Sequence, residues 1–110
     1  MLIMAKWSQS TRVLFLSGRF DKSARVPMET ALAAGEGRFC QKLILDFSKV
    51  SSMDSAGIGK LLLLYYSLRK KGVGLVIHNP RPTVEELLQL VNLSSQIPIT
   101  HDQVGVRSVA

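Results

Sequence analysis

The stretch Met53-Asp54-Ser55-Ala56-Gly57-Ile58-Gly59 sets a carboxylate and a hydroxyl side by side, directly ahead of a leucine run from Leu61 to Leu64. A hydroxyl so placed has three uses: it caps a helix, attacks as a nucleophile, or receives a phosphate from another protein. The nucleophile fails on its surroundings. The strained elbow of serine hydrolases needs Gly-x-Ser-x-Gly; Gly57 supplies the second glycine, but Met53 stands at the first. A phosphate-cradling loop of the Gly-x-x-x-x-Gly-Lys-Ser/Thr type would align Gly59-Lys60 but leaves Asp54 for the first glycine and Leu61 for the hydroxyl. His78 and His101 are the conventional general bases, yet neither has a sequence neighbour that would orient it, so each reads as a strand-end or surface residue. Cys40 is the lone cysteine, which leaves no metal-ligand spacing and no internal disulfide, in keeping with a reducing compartment. No catalytic residue, metal or cofactor is expected, and the chain reads as a binding protein and not an enzyme.

Capping and phosphate acceptance are compatible. Ser55 is read as the N-cap of the helix that follows, an interaction worth about 1 kcal/mol. A phosphate there would add roughly two negative charges and three acceptor oxygens. The positive end of the helix dipole favours it, whereas Asp54 repels it, and so does Asp21 if the loop after the first strand comes near. Such a group switches docking without refolding the domain.

The elements that position these residues alternate along the chain. Thr11–Gly18 is rich in β-formers and reads as a strand ending in a glycine turn. A helix follows, with Asp21 or Ser23 as cap, Pro27 in its first turn, Val26, Ala31 and Leu32 as its apolar face, and Gly35 as its stop. Lys42–Phe47 is a nearly continuous apolar run, the pattern of a central strand. The longest helix runs from Ser55 through a cationic last turn, Arg69-Lys70-Lys71, to Gly72 at the C′ position. Its leucine run is expected to supply the main helical face of the core, with Leu62 or Leu63 inward. Gly74–Asn79 is a third strand, Thr83-x-x-Glu86 opens a helix as a capping box, and Ile97–Thr100 is a closing strand. Alternating strands and helices imply an α/β layer structure with parallel pairing. Functional groups in such folds gather where strands end, which is where Asp21, Asp54 and Ser55 fall.

Composition agrees with one globular domain. The chain has 110 residues, 46% hydrophobic and 20% charged, enough for one core and too few for two domains, with ends that look loose. Its most apolar window is cut short by Arg69-Lys70-Lys71, well below the ~20 residues of a membrane span. Lys6 follows the first apolar residues instead of preceding them, so no secretory signal is expected; the expected location is cytoplasmic. The net charge of +6 is scattered, and the one basic triplet sits where it favours a helix C-terminus, so direct nucleic-acid binding is not expected.

The segment LILDFSKVSSMDSAGIGKLL resembles the signature of the STAS domain, specifically the bacterial anti-sigma factor antagonist family. SGRFDKSARVPMETAL is similar to that family's Gly-x-x-Asp loop and Pro-containing first helix, and NPRPTVEELLQLVNLSSQIPI to its third helix and closing strand, so the likeness runs from about Thr11 to Thr100. The resemblance implies a single STAS domain over residues 1–110, a small mixed sheet of about four strands covered by about four helices. It implies that Ser55 is phosphorylated by an anti-sigma factor that is a serine kinase, that the unphosphorylated form captures this partner and frees the sigma factor, and that a phosphoserine phosphatase resets the switch. By position it assigns partner binding to Asp21, Asp54, Ser55, Ala56 and Gly57. Ala56 stands where many members carry Ser or Thr, and the end HDQVGVRSVA is shorter and less clearly helical than usual. Related proteins sharing the Asp-Ser-x-Gly loop act instead as non-phosphorylated scaffold subunits of a lipid-transport ABC complex, which is the alternative function.

Overall fold

One sheet runs through the chain in the order β1 (Leu2–Ser8), β2 (Thr11–Phe20), β3 (Lys42–Met53), β4 (Gly74–His78), β5 (Ile99–Thr100). The computed structural model describes residues 1–102; the segment beyond Asp102, whose helical character the sequence left in question, lies outside them. β1 is antiparallel to β2, and every later pair is parallel. The helices are α1 (Arg25–Ala34), α2 (Ser55–Lys70) and α3 (Pro82–Leu90), with single 3₁₀ turns at Lys22–Ala24 and Leu93–Ser95. The mixed α/β layer expected from the sequence is present, with one strand more and one α-helix fewer than the resemblance implied.

Register explains the core. Leu14, Leu45 and Ile77 lie abreast on β2, β3 and β4, as do Arg12, Leu43 and Leu75 one step away, and all six are buried. The alternating positions Val13, Ile44 and Val76 share the other face and are half-buried. Met28, Leu61, Leu64, Val84 and Leu88 complete the buried cluster from the three helices.

Several local expectations are corrected. The N-terminal end is not loose: Leu2–Ser8 pairs residue for residue with β2, across a turn in which Gln9 takes a positive φ of 57°. Gly18 does not end its strand. It sits inside β2 with φ 113°, where the β2–β3 register shifts, a bulge conformation that glycine adopts without steric cost. On α1 the buried side chain is Met28, while Val26 points outward, 65% exposed. On α2 the inward positions are Gly57, Leu61 and Leu64. Leu62 is half-buried and Leu63 is 69% exposed, because a helix turns 100° per residue and four consecutive leucines cannot share a face. The Thr83–Glu86 box is not formed: Arg81 is the N-cap and Pro82 the first helical residue, the position proline prefers. Gly72 does hold the C′ position of α2, with φ 73°, and its N–H donates to Arg69 O while Val73 N–H reaches Leu68 O, a Schellman closure.

Candidate functional site

Asp54, not Ser55, caps α2. Asp54 keeps extended backbone angles and its Oδ1 accepts the Gly57 N–H at 3.0 Å, while its carbonyl accepts the Ile58 N–H at 3.0 Å. A carboxylate is a better partner than a hydroxyl for the positive end of a helix, and using it leaves the serine free. Ser55 is therefore the first residue of the helix, exposed, with no hydrogen bond to its hydroxyl among the described residues.

The start of α2 rests directly on the end of β2. Gly57 is buried against the Phe20 carbonyl and ring and the Met53 side chain, and a Cβ there would collide with the Phe20 carbonyl oxygen. Gly57, expected on the docking surface, is thus an internal contact whose absent side chain sets how closely helix and strand approach. That contact also brings Asp21 near. Asp21 caps the 3₁₀ turn, its Oδ1 accepting from both the N–H and the hydroxyl of Ser23, and Arg19 Nε lies 3.8 Å from its other oxygen. These donors, the Ser23 hydroxyl foremost, hold its carboxyl below the usual 3.8.

Between the Asp21 turn and α2 lies a shallow trough of about 640 Å³. Asp21 and Ala56 close one end, Leu62, Leu63 and Tyr66 form an apolar wall, and Glu29 is bridged by Arg25 at 3.3 Å and Lys60 at 3.7 Å. The structure thus gathers Asp21, Asp54, Ser55 and Ala56 at one corner. The apolar wall was missed from sequence because the sequence reading places Leu62 or Leu63 inward; helical spacing of Leu61, Leu64 and Leu68 would have left Leu63 and Tyr66 outside.

The histidines are not isolated. His78 Nδ1 lies 2.6 Å from Thr100 Oγ1 and Nε2 2.9 Å from Asp102 Oδ1, Asn79 Nδ2 donates to the second oxygen of Asp102 at 2.9 Å, and His101 Nε2 meets Glu85 Oε1 at 2.8 Å. Their partners come from far along the chain, so sequence neighbours could not reveal them. They fasten the two-residue β5 and its exit to β4 and α3.

The mixed sheet and its helices agree with the comparisons with known proteins. A model of the STAS domain matches residues 3–105. The chain belongs to the STAS-domain family. Over 92 residues it is 30% identical to the intermembrane phospholipid transport system binding protein MlaB of Escherichia coli (strain K12), covering 83% of this chain and 91% of that protein. Its STAS fold superposes on the anti-sigma factor antagonist SpoIIAA in its unphosphorylated form with a TM-score of 0.75 at 23% identity, covering 98% of this chain and 96% of that one. An anti-sigma factor antagonist from Mycobacterium paratuberculosis gives 0.73 at 23% identity over 90% of this chain and 84% of its own. At these identities the structural likeness establishes the fold. No helix among the described residues is long and apolar enough to cross a membrane.

Proposed function

We infer that this STAS domain is an anti-sigma factor antagonist whose docking is switched at Ser55. The observation that carries the reading is the division of labour at the head of α2: Asp54 takes the capping duty and leaves an exposed, unbonded hydroxyl as the first helical residue. In the unphosphorylated state the trough beside it, with exposed Leu63 and Tyr66, offers an apolar surface to a serine-kinase anti-sigma factor. Phosphorylation would put about two negative charges beside Asp54 and close to Asp21, where helix N–H groups support the phosphate and the partner meets three clustered anions. Removal by a phosphoserine phosphatase restores docking. The chain itself acts on no substrate in this scheme and requires no cofactor.

The test is incubation with kinase-type anti-sigma factors and ATP, locating any phosphate by mass spectrometry. Wild type is expected to gain one phosphate at Ser55; Ser55→Ala is expected to gain none and still bind, and Ser55→Asp to bind more weakly by like-charge repulsion. Phosphorylation of Ser55→Ala to the wild-type extent would overturn the assignment.

The 30% identity with MlaB across most of both chains favours a second reading, a non-phosphorylated scaffold subunit of a lipid-transport ABC complex. Ser55→Asp then leaves assembly with transporter subunits intact, and no kinase modifies the chain.

A further inference from the structure

At the opposite end of the sheet from Ser55, where β2, β3 and β4 begin, a second cavity of about 340 Å³ opens between the ends of α1 and α2. Arg12 is built into it. This residue is only 6% exposed, its Nε is buried without a hydrogen-bond partner, and no carboxylate lies within ion-pair distance among the described residues. A guanidinium does not give up its charge to escape burial, and a buried charge left unpaired is costly. The fold nonetheless makes room for it: Gly35, at the end of α1, has backbone angles open to any residue, φ −94° and ψ −1°, but a Cβ there would strike the Arg12 guanidinium. Glycine at this position is a matter of space.

The surroundings add positive charge instead of cancelling it. Arg38 and Lys71 line the same cavity, and the Trp7 ring lies 4.1 Å from the Arg38 guanidinium carbon and 5.7 Å from that of Arg12, close enough for cation–π attraction. Glu36 is the one acid in the lining, and it is exposed. Beneath the cations the wall is apolar, formed by Leu43, Leu64, Leu68 and Val73. The Schellman closure of α2 is what delivers Leu68 and Val73 there.

From this we propose that the cavity is a binding site for a small aliphatic anion, its carboxylate or phosphate held by Arg12 and Arg38 beside Trp7 and its hydrocarbon body lying on Leu64, Leu68 and Val73. The volume is at the lower end of the roughly 300–1,000 Å³ usual for small-molecule sites, which suits a short single chain. Arg12 supplies planar paired donors for an oxyanion, and the apolar wall discriminates against a bare inorganic ion. The site lies away from Ser55, since Leu68 on its wall is thirteen residues further along α2, about 20 Å at 1.5 Å per residue, and Leu63 and Tyr66 of the trough lie on another face of the same helix.

Trp7 is the single tryptophan of the chain, so its emission reports this cavity directly. The full-length protein is titrated with octanoate, octyl phosphate, inorganic phosphate and octan-1-ol, each below any micellar concentration. Octanoate, octyl phosphate or both are expected to shift the emission saturably, and comparing the two identifies which headgroup the site prefers. Octanol and inorganic phosphate are expected to need at least about ten-fold more, each lacking one half of the recognition. Arg12→Gln and Arg38→Gln are each expected to weaken binding about ten-fold. Arg38 is exposed, so that variant folds even if loss of Arg12 unsettles the core, and circular dichroism confirms it. The proposal is overturned if neither amphiphile gives a saturable shift, if octanol binds as tightly as octanoate, or if folded Arg38→Gln binds as well as wild type.

Discussion

Where β2 and β3 end, the chain presents carboxylates on an open surface; where the same strands begin, it buries the Arg12 guanidinium at a cavity that the exposed Arg38 also lines. At the first end Asp54 and Asp21 each have their donors close at hand, Gly57 N–H for one and Ser23 for the other. At the second, Arg12 has no such donor–acceptor pairing. Helix α2 touches both, and its polarity suits both: its N-terminus faces the acids, while Arg69 and Lys70 sit in its last turn, as the helix dipole favours. Groups already satisfied by local bonds can lose and regain an external partner without disturbing the fold, whereas a buried group left unsatisfied needs something else to complete it. On the two readings proposed above, exchange and retention occupy opposite ends of one helix.

The strongest way to break this contrast is to remove what holds both ends together. Leu61→Ala, at a fully buried position of α2, is expected to cost about 2–5 kcal/mol by chemical denaturation, and Leu63→Ala less than about 0.5 kcal/mol; equal losses would mean that the helix face is misassigned. Gly57→Ala should act on one end alone, forcing α2 away from the Phe20 carbonyl at about 1–3 kcal/mol. Gly59→Ala, with no atom near its Cβ, is expected to stabilise the helix by about 0.5–1 kcal/mol, so opposite signs from two neighbouring glycines in thermal melts sharpen the distinction.

A smaller effect separates the two residues of the Asp54-Ser55 pair. Asp54→Ala is expected to lose about 1 kcal/mol of capping, while Ser55→Ala leaves the melting temperature nearly unchanged; the reverse ranking would restore the serine to the cap. Smallest is the acid response of the Asp21 turn. Its carboxyl is held below 3.8 by Ser23 and Arg19, so the ionised form is favoured by folding. That contribution is present above the ordinary aspartate value and is lost as pH falls through the lowered one. Ser23→Ala should move the Asp21 titration upward, followed by carboxyl NMR shifts, and an unmoved titration would remove the Ser23 hydroxyl as its cause.

Elements with strong patterns were legible before any coordinates. Lys42–Phe47 is apolar enough to mark the central strand, and Ser55 to Gly72 carries both a start and a stop. The corner containing Asp21, Asp54 and Ser55 was legible too, because strand ends bring their loops together. β1 was not, since an edge strand buries little and only Ile3 and Trp7 turn half inward. Nor was Arg12 distinguishable from the other thirteen basic residues: its burial is decided by Trp7, Gly35 and the end of α2 converging on it, and none of these is a feature of its own neighbourhood. The histidine pairings were hidden for the same reason.

The two borders of the sheet are unequal, and this bears on how molecules of the protein meet one another. β5 offers a two-residue border, too short to template another strand, whereas β1 runs for seven residues with Leu2 and Met4 largely exposed. Among the described residues no strand pairs with the outer side of β1, and unpaired backbone along such a border invites a strand from a neighbouring molecule. Lys6 is the single charge in β1, and on a strand its side chain emerges on the same side as Leu2 and Met4. Edge charges of this kind oppose strand-to-strand association, so neutralising Lys6 is expected to leave each molecule as stable as before while lowering the concentration at which the solution stays clear.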